Sequence, residues 1–166
     1  MKDNIKSGKL AGVLIKELKV WKDKPDLKQD VEPGLFAEIL RDDDEMLKRF
    51  GQSNFTTAPR GTIKAFHWHK DQDDLWFFAN SKVGVVLYDR RDDSPTKGQT
   101  EVIYSGVDDY KLILIPQGVV HGYKVIGDET NILIYHVTKA YNPKNPDEER
   151  VDPFDSEINF DWDSLK

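Results

Sequence analysis

Short apolar runs recur along the chain, and polar segments rich in turn-forming residues separate them. The runs in the second half of the chain are "TIKAFHWH", "LWFFA", "KVGVVLYD", "TEVIYSG", "YKLILIP", "YKVIG" and "NILIYHVT". Two more, "LAGVLIKELKVW" and "LFAEILR", lie nearer the N-terminus. Evenly spaced short runs of this kind are typical of strands in an all-β sandwich or a closed barrel. The pattern therefore predicts an all-β fold.

Two segments depart from this pattern. "DDDEMLKRFG" combines an acidic first turn with a glycine stop, which predicts a short helix near residues 42–50. The C-terminal tail, residues 141–166, is rich in proline and acidic residues, yet it carries the large apolar side chains of Phe154, Ile158, Phe160 and Trp162. We expect this irregular tail to pack onto a barrel core of about residues 10–140. Residues 1–166 then form a single domain.

Composition narrows the classes of protein that remain. The chain has 166 residues and a net charge of −6, and no basic run stands out, which argues against a nucleic-acid binder. Its longest apolar runs are too short to cross a membrane, and its N-terminal segment lacks the apolar stretch of a signal peptide. The chain contains no cysteine, which fits a cytoplasmic protein. We therefore expect a cytoplasmic location.

Two of the four histidines, His67 and His69, stand two residues apart in the run "TIKAFHWH". Strand alternation predicts one face with Ile63, Ala65, His67 and His69, and the opposite face with Thr62, Lys64, Phe66 and Trp68. Because a small barrel can hold one ligand, the two histidines are predicted to line its mouth.

Histidines at this spacing also fit a metal site. The pattern G-x5-H-x-H-x3-4-D starts at Gly61 and ends at Asp73 or Asp74, and P-x-G-x2-H ends at His121. Together these resemble the two metal-binding motifs of the cupin jelly-roll superfamily. One interpretation is therefore a divalent transition metal held by His67, His69, Asp74 and His121. The other is that His69 is a solvent-exposed residue at a strand end.

A wider resemblance covers the chain from about Lys19 to Trp162. Seven stretches, "DVEPGLFAEIL", "FGQSNFT", "GTIKAFHWH", "YDRRDDSPTKG", "LIPQGVVHGY", "AYNPKNPDEER" and "FDSEINFDW", follow the order of motifs in the dTDP-4-dehydrorhamnose 3,5-epimerase family. The chain thus resembles a divergent member of that family, whose fold is a cupin-type jelly roll.

The chemistry of that family is proton transfer next to a ketone. A base removes the proton at C3 or C5 of a 4-keto nucleotide sugar, and an acid on the opposite face returns one. The resemblance implies that His67 is the base, that Tyr141 is the acid, and that Asp155, or alternatively Asp152, orients His67. It also implies a set of substrate-binding residues, namely Glu38, Gln52, Asn54, Lys64, His69 and His121.

Several family positions are changed in this chain. Asp74 stands where the family has a lysine that supports the enolate, and His69 stands where it has glutamine. Pro33 and Lys64 replace arginines, and Val85 replaces an aspartate. Three accounts fit: a different sugar nucleotide, a metal acting as Lewis acid in place of the lysine, or a barrel that has lost epimerisation. We prefer the first.

The sequence thus predicts a sugar-nucleotide epimerase, an isomerase that acts at C3, C5 or both in a 4-keto-6-deoxy sugar. The resemblance implies polysaccharide or deoxysugar biosynthesis, no cofactor and a homodimer, with exposed edge strands as natural pairing sites. The alternatives are a metal-dependent cupin of isomerase or dioxygenase type, a 3,4-ketoisomerase, and a non-catalytic protein that binds sugar nucleotides.

Overall fold

Two antiparallel β-sheets dominate the computed structural model, which describes residues 4–24 and 33–166. The stretch "DVEPGLFAEIL" therefore lies partly outside the described residues. The strands are β1 (Ile5–Ser7), β2 (Leu14–Glu17), β3 (Val20–Lys22), β4 (Leu35–Ala37), β5 (Gln52–Ala58), β6 (Ile63–Trp68), β7 (Asp74–Asn80), β8 (Lys82–Asp89), β9 (Thr100–Gly106), β10 (Lys111–Ile115), β11 (Val119–Val125), β12 (Asn131–Val137) and β13 (Glu149–Arg150). Two 3-10 turns span Asp42–Asp44 and Trp162–Ser164.

The sheets are open and lie face to face. One has the order β1-β2-β10-β7-β12-β5, the other has the order β13-β6-β11-β8-β9, and β3 and β4 form a separate hairpin. Side chains from both large sheets fill the space between them, among them Trp76, Phe78, Val85, Leu87, Ile113 and Tyr123. The central strands β7, β8, β10 and β11 are buried on both faces, because further apolar clusters cover the outer sides of the two sheets. The edge strand β5 alternates between more and less buried residues, as a strand with one face toward solvent does. The predicted all-β, cupin-type fold class is confirmed. No helix of the described residues is long and apolar enough to cross a lipid bilayer.

The short helix predicted near residues 42–50 is reduced to the single 3-10 turn Asp42–Asp44. Glu45 follows in the left-handed conformation, with φ of 59°, and ends the turn. Asp44 is buried, and its carboxylate accepts hydrogen bonds from Lys16 Nζ at 2.5 Å and from the Arg41 amide at 2.9 Å. Met46 then packs against the outer face of the six-stranded sheet. These tertiary contacts outweigh the local helical signal.

The C-terminal tail packs as predicted. Ile158, Trp162 and Leu165 are buried against the outer face of the five-stranded sheet. The ring of Trp162 lies 5.2 Å from that of Phe66, and its indole nitrogen donates to the Pro153 carbonyl at 2.8 Å. The tail therefore covers an apolar sheet face that water would otherwise contact.

Strand β6 contains an irregularity that changes which side chains face inward. His121 of β11 pairs with His67 of β6, and Tyr123 of β11 pairs with Lys64 of β6. Between these two pairs β11 advances by two residues and β6 by three, so β6 contains one extra residue. The extra residue reverses the alternation, as β-bulges do. Ile63 and Ala65 therefore pack in the outer cluster with Phe66 and the tail, not on the face of the histidines. The prediction for Ile63 and Ala65 is thus corrected, whereas His67 and His69 do share a face, with rings 5.5 Å apart.

Gly122 makes this irregularity possible. A Cβ atom at Gly122 would lie 2.3 Å from the Cβ of Ala65 and 2.7 Å from its Cα. We expect Gly122→Ala to lower the free energy of unfolding by about 1–3 kcal/mol through overpacking, measured by thermal denaturation. The control is Gly98→Ala, where a Cβ meets open space and only the positive φ of 75° is strained. A Gly122 variant no less stable than the Gly98 variant would contradict this assignment.

Candidate active site

One cleft between the sheets collects most of the predicted site residues. It is lined by β5, β6, β7, β12 and the segment that leads into β13. Its walls include Gln52, Asn54, Lys64, His67, His69, Asp74, Tyr135, Tyr141 and Glu148. Inward alternation on four strands brings these polar side chains to one space. His121 lies directly behind this wall, with its ring 4.2 Å from that of His67.

The polar side of the cleft is organised around β5. The Gln52 side chain accepts a hydrogen bond from the Tyr141 amide at 2.9 Å and donates to Asn54 Oδ1 at 2.5 Å. Lys64 Nζ donates to Thr56 Oγ1 at 2.6 Å and to the Thr57 carbonyl at 3.0 Å. Tyr141 is 65% exposed and stands at the rim of the cleft. A cation and amide groups on this side suit an anionic, oxygen-rich ligand.

The inner end of the cleft contains a compact cluster of three histidines and one carboxylate. One ligand atom each from His67, His69, Asp74 and His121 lies within 4.8 Å of every other. His69 Nε2 is 3.6 Å from Asp74 Oδ1, and His121 Nε2 is 3.8 Å from Asp74 Oδ2. Asp74 and His121 are each 2% exposed. Because Asp74 belongs to β7 and His121 to β11, both large sheets contribute to the cluster.

Hydrogen bonds fix the orientation of two of these rings. His69 Nδ1 contacts the carbonyl of Asp147, and His121 Nδ1 contacts the carbonyl of Val119 at 2.8 Å. A carbonyl only accepts, so each neutral ring carries its proton on Nδ1 and leaves a lone pair on Nε2. His121 Nε2 is buried and has no hydrogen-bond partner among the described residues. Both Nε2 atoms therefore lie as acceptors beside the Asp74 carboxylate, 3.6 and 3.8 Å from its oxygens.

Two neighbouring side chains hold the Asp74 carboxylate. Gln72 Nε2 donates to Oδ1 at 2.8 Å, and the indole nitrogen of Trp76 donates to Oδ2 at 3.1 Å. Trp76 packs edge-on against His121, with ring centroids 5.0 Å apart. Each carboxylate oxygen thus has one fixed donor and a second side turned toward a histidine.

Burial sets the protonation of the cluster. It lowers the pKa of His67 to about 3, and repulsion from His121 contributes in the same direction. Burial also lowers the pKa of His121 to about 3, with repulsion from His69 as the next cause. Burial raises the pKa of Tyr135, and the nearby carboxylates of Asp74 and Glu148 add to that effect. Near neutral pH His67 and His121 are therefore neutral imidazoles, and Tyr135 is a neutral phenol.

Three predicted site residues lie outside the cleft. The Asp155 carboxylate accepts from the amides of Glu157 and Ile158 at 2.9 and 3.2 Å, within a tail that covers the outer sheet face. Asp152 likewise accepts from the Phe154 amide at 2.8 Å. Neither residue lines the cleft, and among the described residues no carboxylate forms a hydrogen bond with His67. The prediction that Asp155 or Asp152 orients His67 therefore needs correction, because the tail runs behind the sheet into which His67 is built.

Glu38 is the third residue that lies outside the cleft, because its carboxylate accepts from Arg41 Nη1 at 3.0 Å on an exposed loop.

The cleft also contains residues that the sequence did not predict as site residues. Trp76 follows Asp74 by two residues on β7, so strand alternation predicts that both side chains lie on the same face. Tyr135 pairs with Trp76 across β12 and β7, and no local signal identifies that partner. The contacts from Asp147 and Glu148 depend on how the tail returns beside β6.

Comparison with known proteins assigns the chain to a family. The family profile of dTDP-4-dehydrorhamnose 3,5-epimerase matches residues 8–166. The chain is 47% identical over 151 residues to the spore coat polysaccharide biosynthesis protein SpsL of Bacillus subtilis, covering 91% of this chain and 95% of that protein. It is 36% identical over 124 residues to the probable low-salt glycan biosynthesis epimerase Agl13 of Haloferax volcanii, covering 74% of this chain and 79% of that protein.

Solved structures agree with this assignment. A dTDP sugar isomerase from Desulfovibrio desulfuricans superposes with a TM-score of 0.80 at 25% identity, covering 95% of this chain and 94% of that one. The epimerase RmlC of Legionella pneumophila, solved with dTDP-4-keto-L-rhamnose, gives a TM-score of 0.79 at 25% identity, covering 96% and 82% of the two chains. The chain therefore belongs to the dTDP-4-dehydrorhamnose 3,5-epimerase family.

Proposed function

We propose that this protein is an isomerase that epimerises a 4-keto-6-deoxy nucleotide sugar at C3, C5 or both. The observation that carries the proposal is the cleft, where neutral His67 and the Tyr141 hydroxyl line one space beside amide and lysine side chains. Two relatives are named for polysaccharide or glycan biosynthesis, and a solved relative contains a dTDP-4-keto sugar. We assign this chain to the same kind of pathway.

The cleft residues divide between proton transfer and binding. A 4-keto group acidifies the neighbouring C–H bonds, so a neutral imidazole at His67 takes a proton and leaves an enolate. Tyr141, at the rim, returns a proton from the opposite face. The acidic neighbours Asp74 and Glu148 raise the basicity of His67 against the effect of burial, and so they favour its protonated state during the reaction. Lys64, with Gln52 and Asn54, suits the diphosphate and nucleotide end of the substrate.

The proposal includes a setting for the enzyme. We assign residues 1–166 to one domain, a cytoplasmic location and a homodimer that needs no cofactor, with a divalent transition metal as the alternative. Exposed apolar side chains on the edge strand β5 and on the β3–β4 hairpin support pairing of two chains: Phe55 is 76% exposed, and Trp21 and Phe36 are also exposed.

Solvent deuterium exchange tests the reaction directly. The protein is incubated in heavy water with a panel of 4-keto-6-deoxy nucleotide sugars, and deuterium at C3 and C5 is followed by NMR. Incorporation with inversion supports the epimerase. A carbonyl found at C3 in the product would indicate a 3,4-ketoisomerase instead. Binding without exchange for every sugar would indicate a non-catalytic binding protein and refute the proposal.

Tyr141→Phe separates the two proton transfers. We expect exchange catalysed by His67 to persist, because the base is intact, while formation of the inverted product falls by about 10²–10⁴-fold. The matched control is Tyr104→Phe, since Tyr104 is an exposed tyrosine of β9 outside the cleft. Normal yield of the inverted product by the Tyr141 variant would remove this residue from the mechanism.

Asp155→Asn tests where the tail carboxylate acts. Because its carboxylate caps two tail amides, we expect the exchange rate to remain within about tenfold of the wild type. Loss of a group that assists proton transfer costs about 10²–10⁴-fold. A folded Asp155 variant with a loss of that larger size would restore the sequence-based role of Asp155.

A further inference from the structure

We propose that His69, Asp74 and His121 bind one divalent first-row transition-metal ion, with an open coordination position toward His67 and the cleft. The proposal deepens the function given above and, in its chemical consequence, rests on it. The binding site itself rests only on the geometry of the three side chains.

The first argument is the direction of the lone pairs. His69 and His121 each donate their Nδ1 proton to a backbone carbonyl, which leaves both Nε2 atoms as acceptors. These two atoms face the oxygens of one carboxylate, which is also an acceptor. Converging lone pairs in a buried site repel one another, and burial strengthens that repulsion. A bound cation converts the repulsion into ligation.

The second argument is distance. A proton shared between an imidazole nitrogen and a carboxylate oxygen gives a separation of about 2.7–2.9 Å. The observed separations are 3.6 Å from His69 and 3.8 Å from His121. Two ligand atoms held tetrahedrally about 2.1 Å from one ion lie about 3.4 Å apart. The spacing therefore fits ligands around a common ion better than a hydrogen-bonded pair.

The third argument is the set of hydrogen bonds that hold the ligand side chains in place. Metal-binding histidines commonly donate their other ring nitrogen to a carbonyl, and ligating carboxylates accept further hydrogen bonds. Here Gln72 and Trp76 donate to the two oxygens of Asp74. Two nitrogens and one carboxylate oxygen suit zinc, iron, manganese, cobalt or nickel.

His67 differs from the other three members of the cluster. It lines the cleft, is more exposed than they are, and forms no hydrogen bond that fixes its ring. We therefore assign it to proton transfer and not to ligation. A cation at the three-residue site would supply positive charge to support the enolate oxygen, as the family's lysine does where this chain has Asp74.

Metal analysis of variants tests the site without any substrate. Protein purified without chelator and dialysed against zinc is analysed by mass spectrometry of the elements. We expect about one ion per chain in the wild type. His69→Ala and Asp74→Asn should lose it, whereas His67→Ala and the control His136→Ala should retain it. His136 is the one remaining histidine of the chain, and its ring contacts Ser53 away from the cluster.

Binding affinity provides a second readout. Gln72→Ala keeps all three ligands but removes one donor to Asp74, so we expect about tenfold weaker zinc binding by calorimetry. Zinc should raise the Tm of the wild type and leave that of folded Asp74→Asn unchanged. Cobalt should give a visible d–d absorption that His69→Ala lacks.

The outcomes separate this inference from the proposed function. A wild type that binds no zinc or cobalt overturns the inference, as does retention of the ion by His69→Ala or its loss from His136→Ala. Loss from His67→Ala overturns the open position. Full deuterium exchange by protein from which the metal has been removed overturns the chemical consequence of the inference and leaves the epimerase standing. Protein that binds the metal but catalyses no deuterium exchange at C3 or C5 supports the metal site and refutes the proposed epimerase function.

Discussion

His67→Ala is expected to lower the rate of deuterium exchange at C3 and C5 by about 10³-fold, within the range that loss of a general base costs. His67 is a neutral imidazole in the cleft, because burial and His121 oppose its protonation. No other described histidine both lines the cleft and lacks a hydrogen bond at its ring. Removing the imidazole therefore removes the base while leaving the binding residues of β5 in place.

The control for this result is His136→Ala, which removes an imidazole from β12 outside the cleft. Its exchange rate should equal that of the wild type. Circular dichroism and Tm establish that the His67 variant is folded. Exchange that survives in folded His67→Ala would assign the base to another residue, and Tyr135 is then the next cleft side chain to replace.

Asp89→Ala is expected to have the largest effect on stability. The Asp89 side chain is 0% exposed, and its carboxylate accepts from Arg91 Nε at 2.8 Å, Ser94 Oγ at 2.5 Å and Thr96 Oγ1 at 2.6 Å. Arg91 also donates to the carbonyl of Ala11, so this network ties the loop after β8 to the N-terminal segment. Removing the carboxylate leaves buried donors unpaired, at a cost of about 3 kcal/mol. Chemical denaturation measures this loss.

The loss of stability in Asp89→Ala should depend on pH. Burial opposes ionisation of Asp89, but hydrogen bonds from Arg91, Ser94 and Thr96 outweigh it, so the pKa lies below its ordinary value. A lowered pKa adds stability above the unfolded value of about 3.9, and that stability is lost as the pH falls below it. The difference between wild type and Asp89→Ala should therefore be full near neutral pH and shrink below about pH 4.

An exposed acid serves as the control for Asp89. Asp92 pairs with Lys97 at 2.6 Å, and its side chain is 89% exposed. Exposed ion pairs contribute little to stability, so Asp92→Ala should leave the denaturation midpoint almost unchanged. The role given to this network would be contradicted if Asp89→Ala were as stable as Asp92→Ala. It would also be contradicted if the stability difference between wild type and Asp89→Ala grew at acidic pH.

The resemblance to the family predicted much of the cleft. It implies roles for Gln52, Asn54, Lys64, His67, His69 and Tyr141, and all of these residues line the same space. Alternation placed His67 and His69 on one face because they lie two residues apart beyond the irregularity of β6. The same rule failed for Ile63 and Ala65, which precede it. A single extra residue reverses the face of everything on one side of it.

The sequence by itself determined the short strands and an all-β fold, because side-chain alternation and turn residues are local properties. Its resemblance to the family supplied the residue types of the site, whereas the choice of a sandwich over a closed barrel came from the structure. Only the tertiary structure decided which side chains meet. Asp74 reaches His121 because β7 and β11 belong to facing sheets, and Asp155 misses His67 because the tail runs behind one of them. Those contacts depend on long-range register and on the path of the chain, which no short segment encodes.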